Sequence, residues 1–326
     1  VKNISVVAIG GGTGLSTVLR GLKGYTPNLS GVVAITDNGG SSGVLRDELG
    51  VLPPGDIRNC IIALSDNESL MSRLMQYRFG GNGTLTNHSV GNIVLAALTN
   101  MVGDFREAVR LVSEILAIEG KVLPASLDNI QLIGIMEDGE EIIGETNIVK
   151  SGKKIKELKL DKEDAKGCEE AIEAIEKADL ITIGPGSLYT SIISNLLIND
   201  IRRAVYSSKA TKVLISNVMT QPGETDNLSL TGHIKEFDKY LSISTIDYLL
   251  LNVGKPPEEI EKRYESEGAQ MLINDLDYNA YNFEIIEDAL ITLIKDRDGK
   301  QKIRHDPARI KKWIDIIVNK MESLDR

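Results

Sequence analysis

Apolar positions along the first forty residues switch between two periods, and the switch predicts a strand, a helix and a second strand. Ile4, Val6, Val7, Ala8 and Ile9 form a short run with little polar relief, as in a strand buried on both faces. Gly10-Gly11-Gly12-Thr13-Gly14 breaks the run at once. Leu15, Val18, Leu19 and Leu22 then recur at helical spacing, Gly24 marks a stop, and Gly31-Val32-Val33-Ala34-Ile35 reads as the second strand. A unit of this kind, about 30 residues long, is a parallel crossover.

Further along, the spacing predicts helices over 57–79, 89–99 and 104–117. The pattern changes after residue 130. Ile130 to Met136 runs into Glu137-Asp138-Gly139-Glu140 and then Glu141-Ile142-Ile143, and Asp-Gly between two such runs signals a hairpin. A β-rich insertion is expected at about 121–160. A charged helix over 162–177 leads into a strand at 179–183, and strands at 213–216 and 248–253 follow. A strand at 291–294, a cap at Arg304-His305-Asp306-Pro307 and an amphipathic helix over 308–323 close the chain. The expected fold is one α/β domain over 1–326: a doubly wound, mostly parallel Rossmann-like sheet with an inserted β-rich subdomain.

Composition narrows the function. With 326 residues, 42% of them hydrophobic and 26% charged, the chain has the material for a sizeable core. Aromatics make up 4%, too few for a base-stacking platform, and a net charge of −10 argues against a broad nucleic-acid footprint. A small anionic ligand stays compatible with that charge, because helix N-termini and a few arginines act locally. Apolar runs are too short to span a membrane and no leader pattern precedes the first strand, so no membrane insertion and a cytoplasmic location are expected. Cys60 and Cys168 form no CxxC pair and read as reduced thiols.

Candidate chemistry gathers at turns. Gly10, Gly11, Gly12, Thr13 and Gly14, between a strand and a helix, let backbone approach an anion beside free N–H donors; a phosphate cradle and a tight turn are the two readings, and the cradle is preferred. After the second strand, Thr36-Asp37-Asn38-Gly39-Gly40-Ser41-Ser42 places Asp37 where dinucleotide folds hold a ribose hydroxyl. It adds a second anion nest with Arg46 one turn on. In Pro53-Pro54-Gly55-Asp56-Ile57-Arg58-Asn59, Asp56 is a good N-cap, while Arg58 and Asn59 suit a ligand better than a first helical turn. His88, ahead of Asn92, is a donor to substrate or a solvated loop histidine; with Asp56 it is the candidate general acid or base. Gly184-Pro185-Gly186-Ser187-Leu188-Tyr189-Thr190 repeats the strand–glycine–helix arrangement, and Asn217 and Gln221 offer amides for a base edge or sugar. No zinc pattern and no nucleophile elbow occurs.

Taken together, these blocks resemble the gluconeogenesis-factor family, relatives of 2-phospho-L-lactate transferase. The resemblance rests on Gly10 to Gly14, Asp37 to Gly43, Leu52 to Cys60, His88 to Asn92, Gly184 to Thr190, Asn217 to Thr225 and Arg304 to Pro307. One departure is Asn38 where the family has a second aspartate, which weakens a divalent-metal site there. The resemblance implies a regulator that binds a UDP-sugar such as UDP-N-acetylglucosamine or UDP-glucose, with NAD as a dinucleotide alternative. It further implies growth and normal cell shape on gluconeogenic carbon, a homodimer and a protein partner in wall metabolism as expectations. The second reading is a transferase using Mg²⁺ to shield phosphates.

Overall fold

The computed structural model describes residues 2–66, 69–296 and 299–324. Strand β1 (Ser5–Gly10) is buried at every position after Ser5, and helix α1 (Gly12–Leu22) returns the chain to β2 (Asn28–Val33). Five helices follow: α2 (Gly40–Leu49), α3 (Gly55–Leu64), α4 (Leu70–Gln76), α5 (Val90–Val102) and α6 (Phe105–Ile115). Strand β3 (Lys121–Pro124) comes next, then β4 (Leu132–Met136), β5 (Glu141–Ile143), helix α7 (Glu145–Ser151) and β6 (Ile155–Leu160). A helix at Glu169–Glu176 leads to β7 (Leu180–Ile183), β8 (Thr211–Ile215), β9 (Tyr248–Asn252) and β10 (Glu284–Asp288). The chain ends in the hairpin β11 (Ile291–Lys295) and β12 (Gln301–His305), then helix Pro307–Leu324.

Seven strands form one parallel sheet in the order β10-β9-β8-β7-β1-β2-β3, with β1 central between β7 and β2. Helices flank it, and the antiparallel sheet β5-β4-β6 stands beside it as the expected β-rich subdomain. The winding reverses between β1 and β7, whose registers place Ala8 beside both Gly31 and Thr182. In a doubly wound sheet such a reversal opens a crevice at the carboxyl ends of the strands.

Local differences from the sequence expectation have physical causes. The helix expected over 57–79 divides, because buried Ser65 turns its hydroxyl onto Ile62 O at 2.9 Å and Ser69 caps a new helix through Ser72 N at 3.1 Å. Residues 67 and 68 of that span lie outside the described residues, as do residues 1, 325 and 326. Residues 121–124, assigned to the insertion, pair in parallel with β2 instead, so the antiparallel sheet begins at Leu132. The expected 162–177 helix is confined to Glu169–Glu176, and α7 adds a helix within the insertion. Arg304 and His305 belong to β12 rather than to a cap; Asp306 caps the last helix, its carboxylate accepting from Ala308 N at 2.8 Å.

Candidate functional site

At the switch point lies a cleft of about 540 Å³, between the turn after β1, the turn after β7, the loop 217–222, α7 and the β12 strand. A larger groove of about 810 Å³ lies at the start of β2, between α6 and the Glu169–Glu176 helix. The smaller cleft is the candidate site. It holds the glycine turns and the carboxyl edge, where uncapped N–H groups are available for an anion.

Helix α1 starts from Gly11 with no side-chain cap. Asp56 reaches into this start: Gly12 N–H donates to its carboxylate, and a side-chain carbon on Gly11 would lie 3.0 Å from Asp56 Oδ2. Burial, then the neighbouring Asp37, raises Asp56 to about 7, with the Gly12 N–H and Arg58 acting in the other direction. Asp56 is therefore not the N-cap of α3, which begins at Gly55 from Pro54. Its carboxyl takes one of the free N–H groups at the head of α1. Gly12 has φ +55°, and Gly14 lies so close to the second turn that a side-chain carbon would be 2.1 Å from Pro185 O. The two turns pack backbone to backbone.

The second turn has a different occupancy. Gly186 N–H donates to Asn217 Oδ1 at 3.3 Å, and Gln221 Nε2 donates to Ser187 Oγ at 2.8 Å, so both predicted amides organise this turn. Arg304 also lines the cleft and is the only Lys or Arg among the described residues that does. One guanidinium N–H donates to Ile303 O at 2.9 Å, while the buried Nε has no protein partner. The adjacent His305 is pushed by burial down to about 4 and is neutral, with Nε2 2.9 Å from the Ser216 carbonyl, so that nitrogen carries the proton. Tyr264 completes this side. Strand β12 and Tyr264, on the helix Glu258–Ser266, were missed; the one signal was Arg304 within a motif of the resemblance.

Of the acidic groups nearby, Glu145 lines the cleft, while Thr190 and Glu224 lie outside its lining and pair behind it. Thr190 Oγ1 donates to Glu224 Oε1 at 3.2 Å and also bonds Glu145 of α7. Burial raises Glu224 to about 7, and burial plus the charges of Asp37, Asp56 and Glu224 lift Glu145 well above the carboxylate range. Asp37 lines the cleft too, with Oδ1 accepting from Gly39 N at 2.8 Å. Asn38 turns away: its Oδ1 accepts from Thr146 N at 2.9 Å and ties α7 to the loop after β2. Among the described residues no three His, Cys, Asp or Glu side chains converge as a metal-ligand group.

Several residues singled out from the sequence do not line this cleft. Gly10 is the last residue of β1, while Gly39 and Gly40 open α2. Ser42 Oγ accepts from Gly55 N at 3.1 Å, holding α2 to α3. Ser41 Oγ lies 3.0 Å from His88 Nδ1 and accepts from Asn92 Nδ2 at 3.0 Å, a buried link between α2 and the start of α5. Arg58 donates to Ser89 Oγ and, at 2.6 Å, to Asn59 Oδ1. Arg46 points to Ile130 O at 2.6 Å. Tyr189 is buried with its hydroxyl on Glu236. Burying polar groups without partners is costly, so these side chains pair with each other and hold helices together.

Comparison with known proteins agrees with this architecture. Residues 6–291 match the family model "2-phospho-L-lactate transferase CofD". The gluconeogenesis factor of Bacillus subtilis is 44% identical over 94% of this chain and 95% of its own length. A Thermotoga maritima relative is 49% identical over 94% of this chain and 97% of its own. The crystal structure of a UPF0052-family protein from Bacillus halodurans superposes with a TM-score of 0.90 at 41% identity, covering 96% of this chain and 99% of that one. With matches that span nearly its whole length, the chain belongs to the gluconeogenesis-factor family, within the reach of the 2-phospho-L-lactate transferase CofD model.

Proposed function

We propose that the switch-point cleft binds a nucleoside-diphosphate sugar, a UDP-sugar in the first instance, and that the protein acts as a ligand-binding regulator. One observation carries this reading: a cleft of about 540 Å³ at the switch point is lined by both glycine turns and by Arg304, its single Lys or Arg among the described residues. That volume lies in the range of small-molecule sites. A diphosphate held there would receive backbone donors from the turns and a charged donor from Arg304. Sugar hydroxyls would then meet Asp37 and Glu145, both in the lining, which offer carboxyl acceptors and, when protonated, donors. The link to gluconeogenic growth, cell shape and a partner in wall metabolism is proposed from the family resemblance; a cytoplasmic setting is proposed with it. Among the described residues no helix is long and apolar enough to cross a membrane.

The match to the transferase family model supports a second reading, in which the cleft moves a phosphoryl-linked group. Titration calorimetry with UDP-N-acetylglucosamine, UDP-glucose and NAD, with and without Mg²⁺, followed by product analysis, separates the two. Saturable UDP-sugar binding without turnover is expected. Absence of UDP-sugar binding overturns the proposal, and turnover moves it to the transferase reading.

A further inference from the structure

The cleft proposed to hold a diphosphate is short of positive charge. Among the described residues, Asp37, Asp56, Glu145 and Glu267 line it against one cation, Arg304, and His305 beside that cation is neutral. A ligand with two negative charges is repelled by ionised carboxyls in such a place, and buried charges are poorly screened by salt. The repulsion is relieved when the acids take up protons.

Three of these acids meet near the head of α1. A side-chain carbon on Gly11 would lie 3.0 Å from Asp56 Oδ2, and one on Gly55, next to Asp56, 3.4 Å from Asp37 Oδ2. One on Gly39 would lie 3.3 Å from both Asp37 Oδ1 and the Oγ1 of Thr146, the neighbour of Glu145. Asp37 thus reaches the start of α3 and the start of α7. The groups acting on Asp56 are Asp37, the Gly12 N–H and Arg58, with the neighbouring Cys60 thiol kept neutral by burial. Those acting on Glu145 are Asp37, Asp56, Glu224 and the Thr190 hydroxyl. Arg46 feels Asp37 from α2, but its guanidinium is anchored on Asn129 and Ile130 O. Behind the lining, the buried Glu224 Oε2 has no hydrogen-bond partner, which costs an ionised carboxylate far more than a protonated one.

We infer that a diphosphate enters this cleft together with a proton: the carboxyl cluster of Asp37, Asp56 and Glu145 takes up at least one as the ligand binds. The inference rests on the nucleotide reading above and gives that site a dependence on pH. The proton comes from solvent and stays on a carboxyl oxygen, and no bond of the ligand changes. In a coupled cluster the proton belongs to the group rather than to one residue, and Asp56, already raised to about 7, needs little further push to hold it. Protonated acids favour the ligand, so affinity is highest on the acid side of neutrality and falls as pH rises through 7.

Titration calorimetry with UDP-N-acetylglucosamine at pH 8, in buffers of different ionisation enthalpy, counts the protons. The diphosphate diester of this ligand does not titrate near that pH, so a proton taken up belongs to the protein. Uptake of about one proton per ligand is expected, with affinity about tenfold weaker at pH 8.5 than at pH 7. Asp56→Asn keeps an acceptor for the Gly12 N–H and removes a titrating charge. It should bind several-fold tighter than wild type at pH 8.5 and lose most of the pH dependence, whereas a residue that only supported the turn would lose affinity at every pH. If that variant misfolds by circular dichroism, Glu145→Gln takes its place with the same expectation. No binding even at pH 6 overturns the nucleotide reading and this inference with it. Binding without proton uptake and without a fall toward pH 8.5 overturns this inference alone, as does a folded variant that binds more weakly than wild type at pH 8.5.

Discussion

The glycine turn after β1 and the one after β7 sit side by side at the carboxyl edge of one sheet, and each leaves a helix start without a side-chain cap. The first gives its Gly12 N–H to the Asp56 carboxyl, the second its Gly186 N–H to Asn217, and both line the cleft that Arg304 also lines. Similar sequence patterns have thus met different needs. A helix start supplies donors whatever occupies it, and the occupant depends on which side chain the fold brings there. At the first turn a carboxyl arrives from α3; at the second, neutral amides arrive from the loop 217–221.

The largest expected effect comes from the contact between the turns. Gly14→Ala would set a methyl group 2.1 Å from Pro185 O, and backbone on both sides resists the shift. A loss of more than about 3 kcal/mol in stability is expected by denaturant melting. A near-neutral result would show that the two turns are not in rigid contact.

Next in size is a pH effect that tests whether the first turn holds a protonated acid. Asp56 and Glu224 are raised to about 7 in the folded protein, far above the unfolded carboxyl values. The folded state therefore binds more protons, and stability present below about pH 4 is lost as pH rises through 7. Each carboxyl contributes on the order of 3 kcal/mol to that fall. Ligand-free protein should melt at lower temperature at pH 8 than at pH 5.5, and Asp56→Asn should flatten the slope. An unchanged slope would mean that the Asp56 carboxyl is ionised throughout.

The asymmetry in ligand binding is tested by two substitutions. Arg304→Gln removes the cation of the cleft lining and should weaken UDP-N-acetylglucosamine binding by about ten- to a hundredfold, a loss of roughly 1.5–3 kcal/mol for a charged hydrogen bond. Its ligand-free melting temperature should not fall, because Arg304 anchors only on Ile303 O. Gly12→Ala should have the smallest effect. The left-handed backbone at φ +55° makes it cost about 1 kcal/mol in stability, while the new methyl meets Asp56 rather than ligand. Calorimetry that showed Gly12→Ala losing affinity as steeply as Arg304→Gln would reverse the comparison and seat the diphosphate on the first turn.

Much of the first strand-helix-strand unit was legible because its signals are local. A buried strand, a glycine turn and an amphipathic helix each leave a pattern within about ten residues. Ser89 before α5 and Asp104 before α6 cap through Asn92 N and Glu107 N, and both boundaries were readable to within a residue or two. The candidate site was less legible. His88, Arg58 and Arg46 looked like ligand groups because polar residues at a helix start are compatible with either role. Only their partners show what they join, His88 and Arg58 linking helices and Arg46 tying α2 to the segment before β4: Ser41, Ser89 and Ile130 lie 47, 31 and 84 positions away. Conversely, Glu145 and Arg304 sit in segments whose local pattern says strand or cap and nothing about a cleft.

By itself, the sequence determined the alternation of strands and helices, the glycine turns and the residue blocks shared with the gluconeogenesis factors. All of these follow from short-range sterics and periodicity. Tertiary structure alone decided that β7, some 170 residues after β1, lies beside it and sets the second turn against the first. It also decided that Asp56 meets the first turn and that Arg304 lines the same cleft as both turns. These pairings bring together residues far apart in the chain, and long-range contacts are selected by packing of the whole sheet rather than by any local preference.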